Sequence, residues 1–187
     1  MRPVFFCPMD RFLFQKKYAG KTTGIILNVG SKEDPAGLRS SFGNRVLNCD
    51  ISQYDTDSGH KIDVDVLMDC RQPWPFDDNY AELIIMAEIL EHLYMNEAFY
   101  ALNDAKRVAS KLVLTLPYDF TLPLDYKGPE VWTHPSGARG HCTGWDEKTL
   151  RQVLDIIGWT VKEWITIDYG IMGTERLDGF LIYCERN

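Results

Sequence analysis

The sequence predicts an α/β fold of the Rossmann-like, doubly wound type, with a mostly parallel seven-stranded sheet and an antiparallel C-terminal strand. Two observations predict it. Apolar runs typical of buried strands alternate along the chain with segments of helical periodicity. The last two apolar runs are separated only by a glycine-containing segment, which is typical of a hairpin. The length of 187 residues suits one domain, residues 1–187.

The first part of the chain predicts two helices and two strands. A segment rich in aromatic and basic residues predicts a helix over 8–19, and "TGIILNV" predicts a buried strand over 23–29. A helix is expected over 34–43, because Asp34 is a favoured N-cap, a proline takes the first helical position and a glycine closes the segment. The run "RVLNCDI" predicts a second strand over 45–51.

The middle of the chain predicts three strands and one helix. The alternating run "IDVDVLM" predicts a strand over 62–68, and "AELIIMAEI" predicts a fully buried strand over 81–89. Apolar residues that recur on one side predict a helix over 96–109. "KLVLTLP" then predicts a strand over 111–117.

The last part of the chain begins with a long irregular loop, 118–145, which has several prolines and glycines. A helix is expected over 146–158, because an aspartate can cap its start and a glycine ends it. The runs "TVKEWITI" and "FLIYCER" predict the two closing strands, 160–167 and 180–186.

Composition limits the functional classes. The net charge of −7 and the pI of about 5.1 argue against a general nucleic-acid binder, which needs a basic face. The five cysteines are widely spaced and form no CxxC pair, so we expect reduced thiols and a cytoplasmic protein. No apolar run approaches the ~20 residues that a membrane helix needs. No pattern predicts an oligomeric state.

The carboxyl ends of the strands are the first place to look for a ligand site, because ligands bind there in such sheets. Gly30 lets the backbone turn tightly beside a ligand. Asp50 lies 20 residues later, a spacing at which a carboxylate accepts hydrogen bonds from both ribose hydroxyls of an adenosine cofactor. Asp69 is placed to accept from an adenine amino group, and the N–H of Cys70 to reach a ring nitrogen. Each acid alone has the alternative of a cap or a surface carboxylate, but the coincidence of strand ends favours a cofactor site.

Three functional classes fit these residues: a nicotinamide-dinucleotide oxidoreductase, an enzyme that uses another adenosine cofactor, and a non-catalytic binding protein. Gly30 and Asp50 suit a nicotinamide-dinucleotide oxidoreductase as well as other adenosine cofactors. The missing G-x-G-x-x-G pattern, and a carboxylate at Asp34 that would repel a pyrophosphate, count against that class. A non-catalytic binding protein that keeps the fold is the remaining alternative.

The segment "DCRQPWPFDDNYAELIIMAEILEHL" (69–93) resembles a segment of class I S-adenosylmethionine-dependent methyltransferases, especially their small-molecule branch, the methyltransferase type 11-like proteins. "VLNCDIS" is similar to that family's second strand with its ribose-binding acid. "HCTGWDEKTLRQVLDIIGWTVKEW" is similar to its late helix and sixth strand. The likeness spans roughly residues 23–187. It implies S-adenosyl-L-methionine as the cofactor and methyl transfer to oxygen or nitrogen of a small-molecule acceptor.

The resemblance also implies which residues contact the cofactor. Val29, Gly30 and Ser31 are expected to line the methionine part of the cofactor. Glu88 is expected beside the amino group of that part and the reacting methyl. Around the nucleoside, Asp50 is expected to hold the ribose and Ile51 to pack against adenine. Asp69 and Cys70 are expected at the adenine edge.

The first strand departs from the family pattern, which has an acid before the first glycine and then G-x-G. Here Asn28 replaces the acid, and Lys32 and Asp34 replace the later glycines. A loop with one glycine is sufficient if the ligand lies flat over Gly30 and brings no pyrophosphate.

Three histidines are candidate general bases for removing a proton from an acceptor hydroxyl. His134 and His141 lie in the loop 118–145, which is on the acceptor side in the resembled family, and His92 follows the fourth strand. The alternatives are loop histidines for the first two and a helix-start residue for His92. The other residues expected to contact the acceptor are Trp132, Arg139 and Trp145.

Two further features of the sequence bear on the site. His134, His141 and Cys142 match no common zinc spacing and lack a fourth ligand, so no metal site is predicted. Residues 1–20 are rich in aromatic residues, and two roles remain open for them: a lid helix over the pocket, or simple packing.

Overall fold

A seven-stranded sheet forms the centre of the structure, a computed structural model that describes residues 8–32, 34–54, 59–118, 140–167, 171–172, 175–176 and 178–186. In chain order the strands are β1 (Ile26–Val29), β2 (Val46–Asp50), β3 (Val66–Leu67), β4 (Ala81–Ala87), β5 (Ala109–Tyr118), β6 (Trp159–Ile167), β7 (Ile171–Met172), β8 (Glu175–Arg176) and β9 (Asp178–Arg186). The strand order in the sheet is β3-β2-β1-β4-β5-β9-β6, and β7 pairs separately with β8.

The direction of the strands confirms the predicted mixed sheet. Neighbours from β3 to β5 run parallel to one another. The last strand, β9, is inserted between β5 and β6 and runs antiparallel to both, so that Ile182 pairs with Leu114 on one side and with Trp164 on the other. The C-terminal hairpin therefore brings the antiparallel strand into the sheet interior.

Helices cover both faces of the sheet, as the doubly wound prediction requires. They are α1 (Pro8–Ala19), α2 (Leu38–Phe42), α3 (Met95–Val108) and α4 (Glu147–Ile157). Phe14 and Leu38 bring α1 and α2 into one buried apolar cluster, whereas Leu102 and Leu154 bring α3 and α4 into the other. Within the part of the chain that the structure describes, no helix is both long and apolar enough to span a membrane.

The predicted strand 62–68 is wrong in its extent, because only Val66 and Leu67 pair in the sheet. The preceding residues make isolated backbone hydrogen bonds, such as that from Asp65 N to the Asn48 carbonyl (2.8 Å), and side chains bond beside them. The Asp65 carboxylate accepts a hydrogen bond from the backbone N–H of Asn48 (2.7 Å), and the Asn48 side chain donates to the Asp63 carbonyl (3.1 Å). Alternation of apolar and polar residues predicts a strand but does not show such side-chain competition.

The predicted helix 34–43 begins later than its pattern indicates. The helix starts at Leu38, after a turn in which Gly37 has a φ of 62°. Asp34 still satisfies the free N–H groups at the helix start, but from outside the helix: its carboxylate accepts from Leu38 N (2.9 Å) and Arg39 N (2.8 Å). The prediction of Asp34 as N-cap and of residue 35 as the first helical residue is therefore wrong, because Gly37 is the N-cap, but the Asp34 carboxylate does bind the free N–H groups of the first turn.

Candidate functional site

A deep cleft opens at the carboxyl ends of β1, β2 and β4, where the α/β topology places ligands. Its volume is about 420 Å³, within the usual range for small-molecule sites. All the residues that the sequence predicts to contact a cofactor line this one cleft. They are Val29, Gly30, Ser31, Asp50, Ile51, Asp69, Cys70 and Glu88.

Gly30 forms the floor of the cleft at the end of β1. Its φ of +68° lies in the left-handed region, and a Cβ at this position would lie 1.9 Å from Cδ1 of Ile89. Its N–H donates to the carbonyl of Cys49 (2.8 Å), which ties the loop to the end of β2. Both the backbone conformation and the space above it therefore require glycine, and the next glycine of the loop is Gly37.

The residues on either side of Gly30 present polar atoms towards the cleft. Asn28 replaces the acid of the family pattern, and its buried side chain donates to Oδ1 of Asn48 (3.1 Å). The hydroxyl of Ser31 is buried and has no hydrogen-bond partner among the described residues. Because buried polar atoms are almost always paired, this orphaned hydroxyl indicates a place for a polar ligand atom.

Asp50 ends β2 and holds the loop that follows β1. Its Oδ2 accepts from the backbone N–H of Lys32 (2.9 Å), and its Oδ1 accepts from the N–H of Ser52 (3.3 Å). Each carboxylate oxygen has a second lone pair, so these two bonds leave capacity for donors that enter from the cleft. The carboxylate is thus fixed in one orientation and can still accept further hydrogen bonds.

Asp69 lies at the end of the cleft near β3 and forms a bidentate ion pair with Arg71. Nε and Nη2 of Arg71 each lie 2.7 Å from a different carboxylate oxygen. The pair fixes the carboxylate and neutralises its charge, so this position suits a neutral amino group better than a cation. Burial, followed by the charge of Asp69, raises the pKa of the neighbouring Cys70 thiol to about 12, so that Cys70 stays protonated.

Glu88 lies at the opposite end of the cleft, just after β4. It has a φ of 56°, which is unusual for a residue with a side chain. Its carboxylate accepts from the hydroxyl of Thr115 (3.0 Å) and pairs with the Arg11 guanidinium (2.5 Å). Arg11 and Phe12 of α1 line the cleft, and a lid role for this helix stays a prediction.

The segment 140–145 is hydrogen-bonded to the turn that follows β4. The N–H groups of Cys142 (2.8 Å) and Thr143 (3.2 Å) both donate to the carbonyl of Glu91, and the Thr143 hydroxyl donates to the carbonyl of Leu93 (2.7 Å). These bonds place His141 beside His92, with ring centroids 4.8 Å apart and the rings at 73°. Of the two, His92 lines the cleft, whereas His141 is exposed next to it.

Trp145, which the sequence predicts to contact the acceptor, is not among the residues that line the cleft. Its side chain is only 1% exposed and belongs to the core beneath α3 and α4. Its indole N–H donates to the carbonyl of Leu90 (3.0 Å), so Trp145 belongs to the same hydrogen-bonded junction. The predicted acceptor-side residues Trp132, His134 and Arg139 lie outside the described residues.

Glu91 is a feature of the site that sequence analysis missed. Its side chain is almost fully buried, and neither carboxylate oxygen has a hydrogen-bond partner in the described part of the chain. Burial, followed by the charge of Glu88, raises the pKa of Glu91 well above its usual value. The motif "ILEHL" contained the residue, but only the fold shows that this carboxylate points inwards beside two imidazoles.

Comparison with solved structures identifies the fold. A methyltransferase from Methanosarcina mazei, described as S-adenosylmethionine-dependent, matches with a TM-score of 0.67 and 14% identity over 98% of this chain and 99% of that chain. A Burkholderia thailandensis 1,6-didemethyltoxoflavin-N1-methyltransferase with bound S-adenosylhomocysteine matches with a TM-score of 0.68 and 8% identity over 95% and 76%. The magnesium protoporphyrin IX methyltransferase of Synechocystis PCC 6803, also with bound S-adenosylhomocysteine, matches with a TM-score of 0.64 and 13% identity over 96% and 81%.

The chain therefore has the fold of class I S-adenosylmethionine-dependent methyltransferases, as its motifs predict. At these identities the likeness shows the fold and not the reaction, because one fold serves many chemistries. No protein-family profile matches the chain, and no curated protein matches its sequence.

Proposed function

We propose that this protein is a methyltransferase that uses S-adenosyl-L-methionine to methylate a small molecule at oxygen or nitrogen. One observation carries the proposal. Asp50 ends β2, Asp69 and Glu88 follow β3 and β4, and all three line one cleft whose floor is Gly30. The cofactor has a ribose, an adenine amino group and an ammonium group, and each needs an acceptor at a different point along the cleft.

The residues of the cleft fit this cofactor. The carboxylate of Asp50 has free capacity for two hydroxyls, and Asp69 is held by Arg71 in a form suited to a neutral amino group. Gly30 leaves the approach over the loop open, and the orphaned hydroxyl of Ser31 lies in the same wall. Glu88 carries the charge that an ammonium group needs.

The task of the protein in such a reaction is mainly alignment. When bound, the cofactor supplies a methyl group on a positively charged sulfur, which a nucleophile displaces in line. Asp50 and Glu88 fix the two ends of the ligand, and α1 closes one wall of the cleft against water. His92 on the cleft wall, with His141 behind it, is placed to accept a proton from an acceptor hydroxyl. The predicted His134 stays a further candidate base.

Two of the solved methyltransferases with this fold are named for small-molecule acceptors, a toxoflavin precursor and a magnesium porphyrin. A small molecule also suits this chain, because Phe12 and Leu93 line the cleft and offer apolar surface for a ring.

Calorimetry with S-adenosylhomocysteine and with NAD tests the proposal. We expect binding of the first in the micromolar range or tighter and no measurable binding of NAD, because the Asp34 carboxylate already occupies the helix N–H groups that a pyrophosphate would use. Binding of NAD alone would overturn the proposal in favour of an oxidoreductase. Binding of neither, with intact folding, would favour a non-catalytic protein. Methyl incorporation from labelled cofactor into a metabolite mixture would then identify the acceptor.

A further inference from the structure

Glu91, His92 and His141 bring three metal-ligating atoms together at the edge of the cleft. Their ligand atoms all lie within 4.8 Å of one another, and Nε2 of His92 lies 3.9 Å from Oε1 of Glu91. Within the described residues this is the one group of three such side chains that lies so close together. We call these three residues the Glu-His-His cluster.

The buried carboxylate of Glu91 is the observation that points to a ligand. The side chain is 3% exposed, and both oxygens lack a hydrogen-bond partner among the described residues. A carboxylate buried without a partner costs free energy unless a proton or a cation neutralises it. The Arg11 guanidinium pairs with Glu88 at 2.5 Å and is not a hydrogen-bond partner of Glu91.

The backbone around the Glu-His-His cluster is built to hold it. The carbonyl of Glu91 accepts from the N–H groups of Cys142 and Thr143, and Trp145 donates to the carbonyl of Leu90. These bonds fix the segment that carries His141 directly on the turn that carries Glu91 and His92. Packing alone would not require two imidazoles to lie beside a buried carboxylate that accepts no hydrogen bond.

We propose that the Glu-His-His cluster binds a divalent transition-metal ion of the zinc or cobalt type at the rim of the cleft. Two imidazole nitrogens and one carboxylate oxygen are the donor set of catalytic zinc sites that keep an open position for water or substrate. Ligand atoms bound tetrahedrally at about 2.1 Å lie about 3.4 Å apart, so the imidazoles need to move by only about 1 Å. His141 is exposed and His92 is half-buried, which leaves the open position accessible from solvent and from the cleft.

Metal binding would change the role of the two imidazoles. A nitrogen that ligates an ion has no lone pair left to accept a proton, so His92 and His141 would hold the ion rather than act as general bases. Metal binding itself does not depend on the proposed function. The role of the ion in the reaction does rest on it, because that role concerns the acceptor side of the cleft. The ion would lower the pKa of a hydroxyl bound at its open position, which releases that proton to solvent.

The test is a titration of the chelator-treated, full-length protein with Co²⁺, followed by calorimetry and by visible absorption. We expect one ion per chain, displacement by Zn²⁺, and spectra without thiolate charge-transfer bands. His141→Ala and Glu91→Gln should each weaken Co²⁺ binding at least tenfold, since even residues outside the ligand set change metal affinity 10–100-fold. The matched control is His60→Ala, a change at an exposed histidine that does not line the cleft, which should bind Co²⁺ like wild type.

Several outcomes would overturn the inference. They are the absence of saturable Co²⁺ binding, wild-type affinity in both variants, and spectra that assign the ion to a cysteine thiolate. His141 is exposed, so its replacement by alanine keeps the test valid even if the buried Glu91 variant does not fold. S-adenosylhomocysteine binding, measured in parallel in EDTA, separates the two proposals: its absence with Co²⁺ binding retained would reject the proposed cofactor and leave the metal site standing.

Discussion

Arg11 on α1 and Glu88 after β4 form an ion pair across one end of the cleft, with Nη1 and Oε2 2.5 Å apart. Both side chains are largely shielded from solvent, at 26% and 33% exposure. The pair joins the first described helix to the sheet at the point where the amino-acid end of the proposed cofactor would lie. Because that end carries both an ammonium and a carboxylate group, it can take each member of the pair as a partner.

Replacing either member of this pair should affect only ligands that carry the amino-acid group. We expect Glu88→Gln and Arg11→Ala each to weaken S-adenosylhomocysteine about tenfold or more, since a charge-assisted hydrogen bond contributes about 1.5–3 kcal/mol. Binding of 5′-methylthioadenosine, which lacks the amino-acid group, should change less than twofold. Calorimetry with both ligands checks this, and an equal loss for the two ligands would place the amino-acid end elsewhere.

Asp50→Ala should weaken S-adenosylhomocysteine by roughly ten- to a thousandfold, because two charge-assisted hydrogen bonds to the ribose are lost. Part of that loss arises from the loop, since Asp50 also accepts from the N–H of Lys32. His141→Ala is the contrasting variant: we expect it to retain cofactor affinity and to lose turnover. Asp155→Asn, an exposed change on α4, controls for general effects. Unchanged binding by Asp50→Ala would show that the cleft is not used as proposed.

Gly30→Ala should destabilise the fold and abolish cofactor binding. The left-handed conformation at φ +68° costs about 1–2 kcal/mol for a residue with a Cβ, and the clash with Ile89 adds about 1–3 kcal/mol of overpacking. Thermal unfolding measures the sum. The double variant Gly30→Ala/Ile89→Ala removes the clash but not the backbone strain. Its loss of stability should therefore be smaller than the sum of the losses in the two single variants. Strict additivity would contradict the contact.

Glu91→Met should stabilise the chelator-treated protein, although it alters a buried residue. Methionine has a similar length and no polar atom, so the change removes an unsatisfied carboxyl group that costs about 1–3 kcal/mol. Urea unfolding in EDTA provides the measurement. Glu147→Met, on the more exposed surface of α4, should change stability by less than about 0.5 kcal/mol. A loss of more than about 1 kcal/mol in Glu91→Met would mean that the carboxylate has a structural partner.

Glu82 gives a prediction for pH. A side-chain hydrogen bond from Lys111 and backbone bonds from Gly24 and Thr23 lower its pKa to about 2. A lowered pKa in the folded state means that the stabilisation is present above the ordinary carboxyl pKa of 4.5 and is lost as the pH falls towards 2. We expect Glu82→Gln to cost about 1–2 kcal/mol at pH 7, after allowance for the partial exposure of the pair. The difference from wild type should shrink between pH 4.5 and pH 3, and a constant difference would contradict it.

The sequence was most informative where a local pattern determines the structure. Gly30, Asp50 and Asp69 were predicted from strand ends and spacing, and the structure places all three at one cleft. Residues that meet through tertiary packing were not predictable in this way. Arg11 reaches the cleft from a helix 77 residues before Glu88, and Trp145 was assigned to the acceptor although it is buried in the core.

The junction of Glu91 with residues 142 and 143 is a second tertiary contact that the sequence pattern does not predict. Its hydrogen bonds join backbone groups, which nearly every residue has, so no pattern of side chains predicts them. The motif "ILEHL" indicated polar residues after a strand, but it did not indicate which would be buried. Only the position of residues 140–145 on this turn brings the distant His141 next to Glu91 and His92.

The insertion of β9 between β5 and β6 has a consequence for how the chain reaches its fold. In the described sheet β6 is bonded only to β9, and Phe180 of β9 packs against Trp164 of β6 with ring centroids 4.9 Å apart. During synthesis on the ribosome, β6 must therefore wait without a partner until residues 178–186 emerge. In that interval its apolar side chains and the edge of β5 are open to aggregation or to capture by a chaperone. Closure of the sheet should accordingly be a late event of folding.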